Sequence, residues 1–123
     1  MKVLITGGAG FIGGFLARSF VDDGATVHLV DNFARGVRDA FLAELQAGPQ
    51  VEVRSTDLLA EGALEEVDED YDFIFHLAAI IGVQHVLKRP YAVLVDNVRM
   101  HDAVLDLARR QARLRRFVFA STS

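Results

Sequence analysis

The glycines near the amino terminus carry the clearest chemical signal in the chain. They lie within Thr6–Gly13 (TGGAGFIG), which follows the apolar run Val3–Ile5 and begins an apolar-periodic stretch. The first two suit a tight turn whose backbone angles a Cβ would forbid, Gly10 would let the main chain approach a ligand, and Gly13 would let a helix lie against the strand. A strand, a glycine turn and a helix N-terminus together present free N–H groups to an anion. We therefore expect this segment to bind the pyrophosphate of a dinucleotide. The alternative is a glycine turn that only joins a strand to a helix.

An acidic side chain follows the second predicted strand, eighteen residues after Gly13. In a dinucleotide-binding unit a carboxylate at that place, here Asp31, accepts hydrogen bonds from the hydroxyls of the adenosine ribose. The same charge repels a 2′-phosphate, so the sequence favours NAD over NADP. Two alternatives remain open. Asp31 caps an ordinary turn with Asn32, or Arg35 holds a 2′-phosphate and the cofactor is NADP.

Two further segments follow predicted strands. Asp57 and Leu58 come directly after the third strand, where the adenine ring is expected, and Asp57 also suits a helix N-cap. The segment His76–Ala79 (HLAA) closes the fourth strand, and its small residues would let a cofactor run along the backbone. We interpret His76 itself as a buried strand histidine whose hydrogen bonds are satisfied.

These residues must be positioned by alternating short β-type runs and helical stretches. The predicted strands are Val3–Thr6, Thr26–Val30, Val51–Ser55, Tyr71–Leu77 and Arg116–Ala120. The predicted helices are Phe11–Asp23, Val37–Gln46, Leu58–Val67 and Pro90 to about Arg109, with a turn or short helix near 83–88. Strict alternation predicts an α/β fold with three layers, in which a doubly wound parallel sheet has the strand order 3-2-1-4-5. Residues expected near one face of the first helix are Phe11, Phe15, Leu16, Ser19 and Phe20.

The composition of the chain excludes several classes of protein. With 123 residues and 51% hydrophobic content the chain is one domain or part of one, and too apolar to be disordered. The absence of cysteine excludes disulfides and thiolate metal sites, and the histidines lack zinc spacings, so we expect no metal site. A net charge of −4 disfavours nucleic-acid binding. No apolar run approaches the ~18 residues of a membrane span. Because Met1 leads straight into a strand, we expect no signal peptide and a cytoplasmic protein.

Taken in order, six features resemble the extended short-chain dehydrogenases/reductases, and within them the NAD-dependent epimerase/dehydratase family that acts on nucleotide sugars. The resemblance spans the whole chain and implies a Rossmann-like fold. The matching features are Thr6–Gly13, Asp31-Asn32, Asp57-Leu58, His76–Ala79, Asn97 in the long helix, and Phe119–Ser123 (FASTS) at the end of the fifth strand.

The family resemblance also implies roles for individual residues. The implied cofactor contacts are Gly7, Gly10, Phe11, Ile12, Gly13, Asp31, Asn32, Asp57, Leu58, Leu77, Ala78, Ala79 and Asn97. For Asn97, a polar residue tolerated inside a helix is an equally open interpretation. Thr122 matches the catalytic hydroxyl that hydrogen-bonds the reacting sugar oxygen, with Ser121 and Ser123 as alternatives in register. The alternative interpretation is that these serine and threonine residues only end the strand and have no catalytic role.

One departure from the family concerns the general base, which the resemblance places in a Tyr-x-x-x-Lys helix after the fifth strand. The tyrosines of this chain, Tyr71 and Tyr91, have Phe75 and Val95 four residues on. We therefore expect residues 1–123 to be the N-terminal part of an NAD(P)-binding Rossmann domain, truncated after strand five, with the later strands and the sugar-binding lobe absent.

The intact protein would be a nucleotide-sugar epimerase, dehydratase or decarboxylase that oxidises and re-reduces a sugar carbon through a keto intermediate. Its expected partners are a nucleotide-sugar substrate and, at full length, a second copy in a homodimer, with no nucleic acid and no membrane. Two alternatives stay open. One is a non-catalytic NAD-binding module or pseudoenzyme, and the other is an NADP-dependent reductase of the same superfamily.

Overall fold

A computed structural model of the chain describes residues 1–67 and 70–121. Within those residues one parallel sheet has the order β3-β2-β1-β4-β5, as predicted. Its strands are β1 (Lys2–Thr6), β2 (Thr26–Asp31), β3 (Val51–Ser55), β4 (Phe73–His76) and β5 (Arg116–Phe119). The helices are α1 (Phe11–Asp22), α2 (Ala40–Ala47), α3 (Val83–Lys88) and α4 (Pro90–Arg110).

Helices cover both faces of this sheet, which confirms the predicted three layers. Alternate residues of β1 point to opposite faces: Val3 and Ile5 join the core beneath α1 and α2, whereas Leu4 joins the core beneath α4. Residues Val3 to Thr6 are all fully buried, as expected for the central strand of a sheet packed on both sides. At the last position of β1, Thr6 pairs with Val30 on one side and His76 on the other, so three strands end side by side.

The predicted helix over Leu58–Val67 is wrong, because that segment folds as successive tight turns. Main-chain bonds there join residues three apart, such as Ala60 N–H to the Asp57 carbonyl at 3.0 Å. Gly62 has φ +70°, a left-handed conformation that interrupts a right-handed helix. The apolar periodicity that predicted a helix is met differently, since Leu58, Leu64 and Val67 are buried against the sheet.

Helix α1 confirms the expected face only in part, since Leu16 and Phe20 pack against the core beneath it. Its buried residues are Gly13, Gly14 and Ala17, whereas Phe11 and Phe15 are 82% and 55% exposed. Glycines bring the helix axis close to the sheet, and the two large rings contact each other at 5.0 Å between centroids.

Several element boundaries differ from the predicted ones. The helix predicted from Val37 begins at Ala40, because the Asp39 side chain caps it by accepting from Leu42 N–H at 2.8 Å. The fourth strand is shorter than predicted and covers only Phe73–His76. The second strand is one residue longer and ends at Asp31.

Candidate dinucleotide-binding site

The glycine turn after β1 is held between the ends of its two neighbouring strands. Gly7 N–H donates to the Val30 carbonyl at 2.8 Å. Gly7 has φ +71°, and a Cβ there would lie 2.8 Å from the nitrogen of Ala78. No other residue type fits this position without displacing the backbone.

The other positions of the turn require glycine for different physical reasons. A Cβ on Gly13 would lie 2.5 Å from the Gly7 carbonyl oxygen, so α1 begins in direct contact with the turn. Gly8 was expected to need an unusual backbone angle, and that expectation is wrong: its φ is not positive, but a Cβ would lie 2.8 Å from the Leu29 side chain. A Cβ on Gly10 would meet only the Gly7 oxygen, at 3.2 Å, among the described atoms within 4 Å.

The N-terminus of α1 forms an anion-binding surface at this turn. Gly14 N–H donates to the carbonyl of the N-cap residue Gly10 at 2.9 Å, so the N–H groups of Phe11, Ile12 and Gly13 precede the first i→i−4 bond. The first turn contains no acidic residue, which leaves the positive end of the helix dipole uncompensated there. A closely packed glycine turn, followed by N–H groups that have no i→i−4 partner, fits the diphosphate of a dinucleotide.

Asp31 binds this turn to the loop that follows β2. One carboxylate oxygen accepts from Ala9 N–H at 3.0 Å, and the other accepts from Phe33 N–H at 2.8 Å. The turn-capping alternative is therefore present, and it does not exclude ribose binding, because each carboxylate oxygen has a further lone pair. The neighbouring Asn32 accepts from Ala34 N–H at 2.9 Å and is exposed.

The residues after β3 have a purely local arrangement in the structure. The Asp57 carboxylate accepts from Leu59 N–H at 2.9 Å and caps a turn, so the helix N-cap interpretation is wrong. The side chain of Leu58 is buried in the core. Any ligand at this edge would therefore meet the main chain of Leu58.

The end of β4 is attached to the end of β1. Leu77 N–H donates to the Thr6 carbonyl at 3.1 Å, and Ala78 N–H donates to the Thr6 hydroxyl at 3.3 Å. Ala78 is half-buried beside the glycine turn and Ala79 is exposed. The small side chains thus lie along the edge where a bound dinucleotide was expected to run.

His76 lies beneath this edge as a buried, hydrogen-bonded side chain, which confirms its interpretation. Its Nδ1 is 2.7 Å from the Thr6 hydroxyl, and the residue is 2% exposed. Burial, and to a smaller extent the nearby His101, lower the pKa of His76 from 6.5 to about 4. The ring is therefore neutral near pH 7, when Nδ1 can accept the Thr6 hydroxyl proton.

The side chain of Asn97 in α4 has a specific structural role, so it is more than a polar residue tolerated inside a helix. Its side-chain oxygen accepts from Ile80 N–H at 2.7 Å, and its amide donates to the Ile80 carbonyl at 3.0 Å. This two-point attachment fixes the main chain just after Ala79. Sequence reasoning missed it because the partner is a backbone group seventeen positions away, which leaves no side-chain signal.

The hydroxyl residues predicted for catalysis are only partly described. Thr122 and Ser123 lie outside the described residues. Ser121 is exposed and lies two residues after the end of β5. The residue between them, Ala120, donates its N–H to the His76 carbonyl at 3.3 Å. Ser121 therefore begins beyond the same carboxyl edge as the glycine turn.

Sequence reasoning also missed Gly36. A Cβ on Gly36 would lie 2.7 Å from Ala9 Cβ, so the loop after β2 lies against the glycine turn. A glycine five residues beyond Asp31 was the only available signal. From this loop Arg35 reaches across to the Ile81 carbonyl at 3.3 Å.

Two other features are missing from residues 1–67 and 70–121. No helix within them is long and apolar enough to cross a membrane. Among the same residues, no three His, Asp or Glu side chains cluster in a way that could hold a metal ion.

Two curated relatives of this chain are named for reactions on nucleotide sugars. The chain is 34% identical over 122 residues to the UDP-N-acetyl-alpha-D-glucosaminuronate decarboxylase of Bacillus cytotoxicus, covering 99% of the chain and 36% of that relative. It is 31% identical over 129 aligned positions to the UDP-glucose 4-epimerase of Corynebacterium glutamicum, covering 100% of the chain and 35% of the relative. The chain thus spans about a third of the length of these relatives.

The structural comparison agrees with the sequence comparison. The Bordetella bronchiseptica enzyme WbmF, solved in complex with NAD+, superposes with a TM-score of 0.85 at 26% identity. The match covers 99% of this chain and 36% of that one. A sequence model of the NAD dependent epimerase/dehydratase family matches residues 3–123. With the fold, the glycine turn and these likenesses in agreement, the chain belongs to the NAD dependent epimerase/dehydratase family.

Proposed function

We propose that this chain binds NAD at the glycine turn, as the cofactor-binding part of a nucleotide-sugar epimerase, dehydratase or decarboxylase. The observation that carries the proposal is the geometry of the turn: Gly7 and Gly13 let the turn, the end of β4 and α1 pack where a Cβ would clash with the backbone, which brings the N-terminus of α1 to the carboxyl end of β1. The family, and the NAD+ held by the related WbmF, support the same cofactor.

The proposed contacts follow from the positions of the groups. The N–H groups of Phe11, Ile12 and Gly13 receive the diphosphate, with Gly7 shaping the turn and Gly10 leaving room for the phosphates. Asp31 and Asn32 meet the adenosine ribose, and Asp57 with the main chain of Leu58 borders the adenine. The edge formed by Leu77, Ala78 and Ala79 lines the rest of the cofactor, and Asn97 positions that edge through Ile80.

The substrate side of the proposal rests on hydroxyl groups. Bound NAD supplies a hydride acceptor and donor for a sugar carbon. Thr122, or Ser121 or Ser123 in another register, would hydrogen-bond the reacting sugar oxygen, because a hydroxyl both donates and accepts as that oxygen loses and regains its proton.

Neither tyrosine of the chain suits the role of general base. Tyr71 is fully buried with its hydroxyl 2.7 Å from His28 Nδ1, and Tyr91 is exposed in the first turn of α4. No Tyr-x-x-x-Lys pattern occurs in the sequence. We therefore assign cofactor binding, and not complete turnover, to these residues.

The proposal extends to self-association in the full-length protein. One face of α4 exposes Tyr91, Leu94 and Val98 at helical spacing, with exposed fractions of 79%, 63% and 60%. Such a row suits pairing with a second copy. Light scattering of the full-length protein should give a dimer, and a Leu94→Glu variant should give a monomer. A wild-type monomer would contradict this part.

Cofactor choice is the direct test of the proposed function. Calorimetric titration of the chain should give tighter binding of NAD than of NADP. Asp31→Asn should lower the affinity for NAD about tenfold, because the ribose hydroxyls lose an acceptor oxygen. It should also narrow the preference for NAD over NADP, because the charge that repels the 2′-phosphate is removed. Asp22→Asn, an exposed carboxylate at the far end of α1, is the charge-matched control and should change neither affinity. Tighter binding of NADP by the wild type would refute the proposal.

A further inference from the structure

The loop between β2 and α2 lies directly on the glycine turn. A Cβ on Gly36 would lie 2.7 Å from Ala9 Cβ and 3.1 Å from an Asp31 carboxylate oxygen. Asp31 itself accepts from Ala9 N–H at 3.0 Å. The hydrogen bond from Ala9 N–H and the close approach of Gly36 to Ala9 therefore hold this loop against the turn and place the adjoining Arg35 beside it.

From that position Arg35 spans the mouth of the site. Its guanidinium donates to the Ile81 carbonyl at 3.3 Å, across 46 positions of sequence. Arg35 follows β2 and Ile81 follows β4, and these strands flank β1 in the sheet. A side chain that joins the two outer loops must pass in front of the glycine turn that lies between them.

The hydrogen bond from the Arg35 guanidinium to the Ile81 carbonyl is weak. It is long, exposed and directed to a neutral carbonyl, and it uses one of five N–H donors. Bonds from a guanidinium to phosphate oxygens are stronger and often bidentate. The other nearby arginine, Arg38, has its guanidinium 3.9 Å from the centroid of the Phe33 ring.

Charge at this edge favours a phosphate partner. A dinucleotide brings two negative phosphates to a site that already contains the carboxylate of Asp31. The N-terminus of α1 offers only about half an elementary charge in return. A full positive charge at the mouth would offset part of the remainder.

We propose that Arg35 is a contact for the cofactor diphosphate: it leaves the Ile81 carbonyl and donates to a phosphate oxygen once the dinucleotide enters. This inference rests on the proposed NAD binding. It differs from the reading in which Arg35 holds a 2′-phosphate, because a diphosphate contact serves NAD and NADP equally.

The test compares Arg35→Met with the control Arg38→Met in titrations of NAD, NADP, ADP and adenosine. We expect Arg35→Met to weaken NAD, NADP and ADP by about tenfold each, as for loss of one charge-assisted hydrogen bond, and to leave adenosine unchanged. The difference should shrink at high salt, because the pair is exposed and screened. Arg35→Lys, which keeps the charge, should recover part of the loss, and Arg38→Met should bind all four ligands as the wild type does.

The outcomes separate the inference from the function beneath it. Unchanged NAD and ADP binding in Arg35→Met, with NAD bound by the wild type, would overturn the Arg35 assignment and leave the proposed function intact. A loss confined to NADP would overturn it in favour of the 2′-phosphate reading. Failure of the wild type to bind NAD would overturn both. Thermal unfolding of each variant confirms that the exposed substitution leaves the fold in place.

Discussion

At the amino edge of the sheet Asp72 is 2% exposed and accepts from Lys2 N–H at 2.8 Å, with Arg113 at 3.4 Å and Arg115 at 3.7 Å. At the carboxyl edge the first N–H groups of α1 precede its first i→i−4 bond, and the Asp31 carboxylate accepts from the N–H groups of Ala9 and Phe33. The same sheet thus has polar groups satisfied by one another at one edge and helix donors without an i→i−4 partner at the other.

The difference separates stability from binding. Polar groups at the amino edge are directed at other parts of the chain, so substitutions there should lower the free energy of unfolding and leave cofactor affinity unchanged. Groups at the carboxyl edge are held in place by glycines, by Asn97 and by Thr6, so substitutions there should change affinity.

The two edges should respond to acid in different pH ranges. Burial lowers the pKa of His76 from 6.5 to about 4, so the unfolded chain takes up a proton in that interval and the folded chain does not. The free energy of unfolding should therefore fall by up to about 3 kcal/mol as the pH falls from about 6.5 to about 4, and should be independent of His76 above that range. Urea unfolding at several pH values measures the slope.

The amino edge supplies the contrasting range. The Lys2 N–H, aided by Arg113 and Arg115, holds the pKa of Asp72 below its usual 3.8. Its stabilising contribution is therefore present above pH 3.8 and lost only as the pH falls through the lowered value. His76→Gln should flatten the slope above about pH 4, and His85→Gln on the exposed face of α3 should not. An unchanged slope in His76→Gln would count against the burial of a neutral ring.

Two glycine substitutions give the sharpest contrast between the edges. Gly13→Ala places a Cβ 2.5 Å from the Gly7 carbonyl oxygen, so the turn must shift, and we expect NAD affinity to fall about a hundredfold. Gly24→Ala, at the amino edge, meets no atom within 4 Å but has φ +84°. It should cost about 1 kcal/mol of stability and leave the NAD affinity of the folded protein unchanged. Calorimetry with denaturant unfolding separates the two quantities, and a loss of affinity in Gly24→Ala would break the comparison.

A smaller effect is expected for the tyrosine that precedes β4. Tyr71→Phe removes the hydroxyl that lies 2.7 Å from Nδ1 of the buried His28, which should lower the free energy of unfolding by about 1 kcal/mol. Tyr91→Phe, at a side chain 79% exposed, is the matched control and should be neutral. Neither variant should alter NAD affinity in a titration. Equal stability of the two variants would contradict the structural role of the Tyr71 hydroxyl.

Sequence predicted the features that depend on local pattern. The turn Thr6–Gly13, the strand order and the position of Asp31 after β2 follow from glycine spacing and from the alternation of apolar runs. The segment Leu58–Val67 was mistaken for a helix because its apolar spacing suits both a helix and a set of turns, and the left-handed Gly62 decides between them.

Features that depend on contacts between distant residues could not be predicted. Asn97 binds the backbone of Ile80, and backbone groups carry no sequence signal. Gly8 is required by the side chain of Leu29, which lies on another strand. The exposure of Phe11 and Phe15 in α1 could not be predicted either, because small residues, and not these large apolar rings, allow the closest packing of the helix against the sheet.

The central claim is that the carboxyl edge of the sheet binds NAD and the amino edge does not. An NMR titration of the isotopically labelled chain with NAD, followed through its backbone amide signals, tests this claim directly. The account predicts saturable shifts at Phe11, Ile12 and Gly13, with Asp72 and Gln111 at the opposite edge unmoved. Unshifted amides in the glycine turn, or shifts centred on the amino edge, would contradict it.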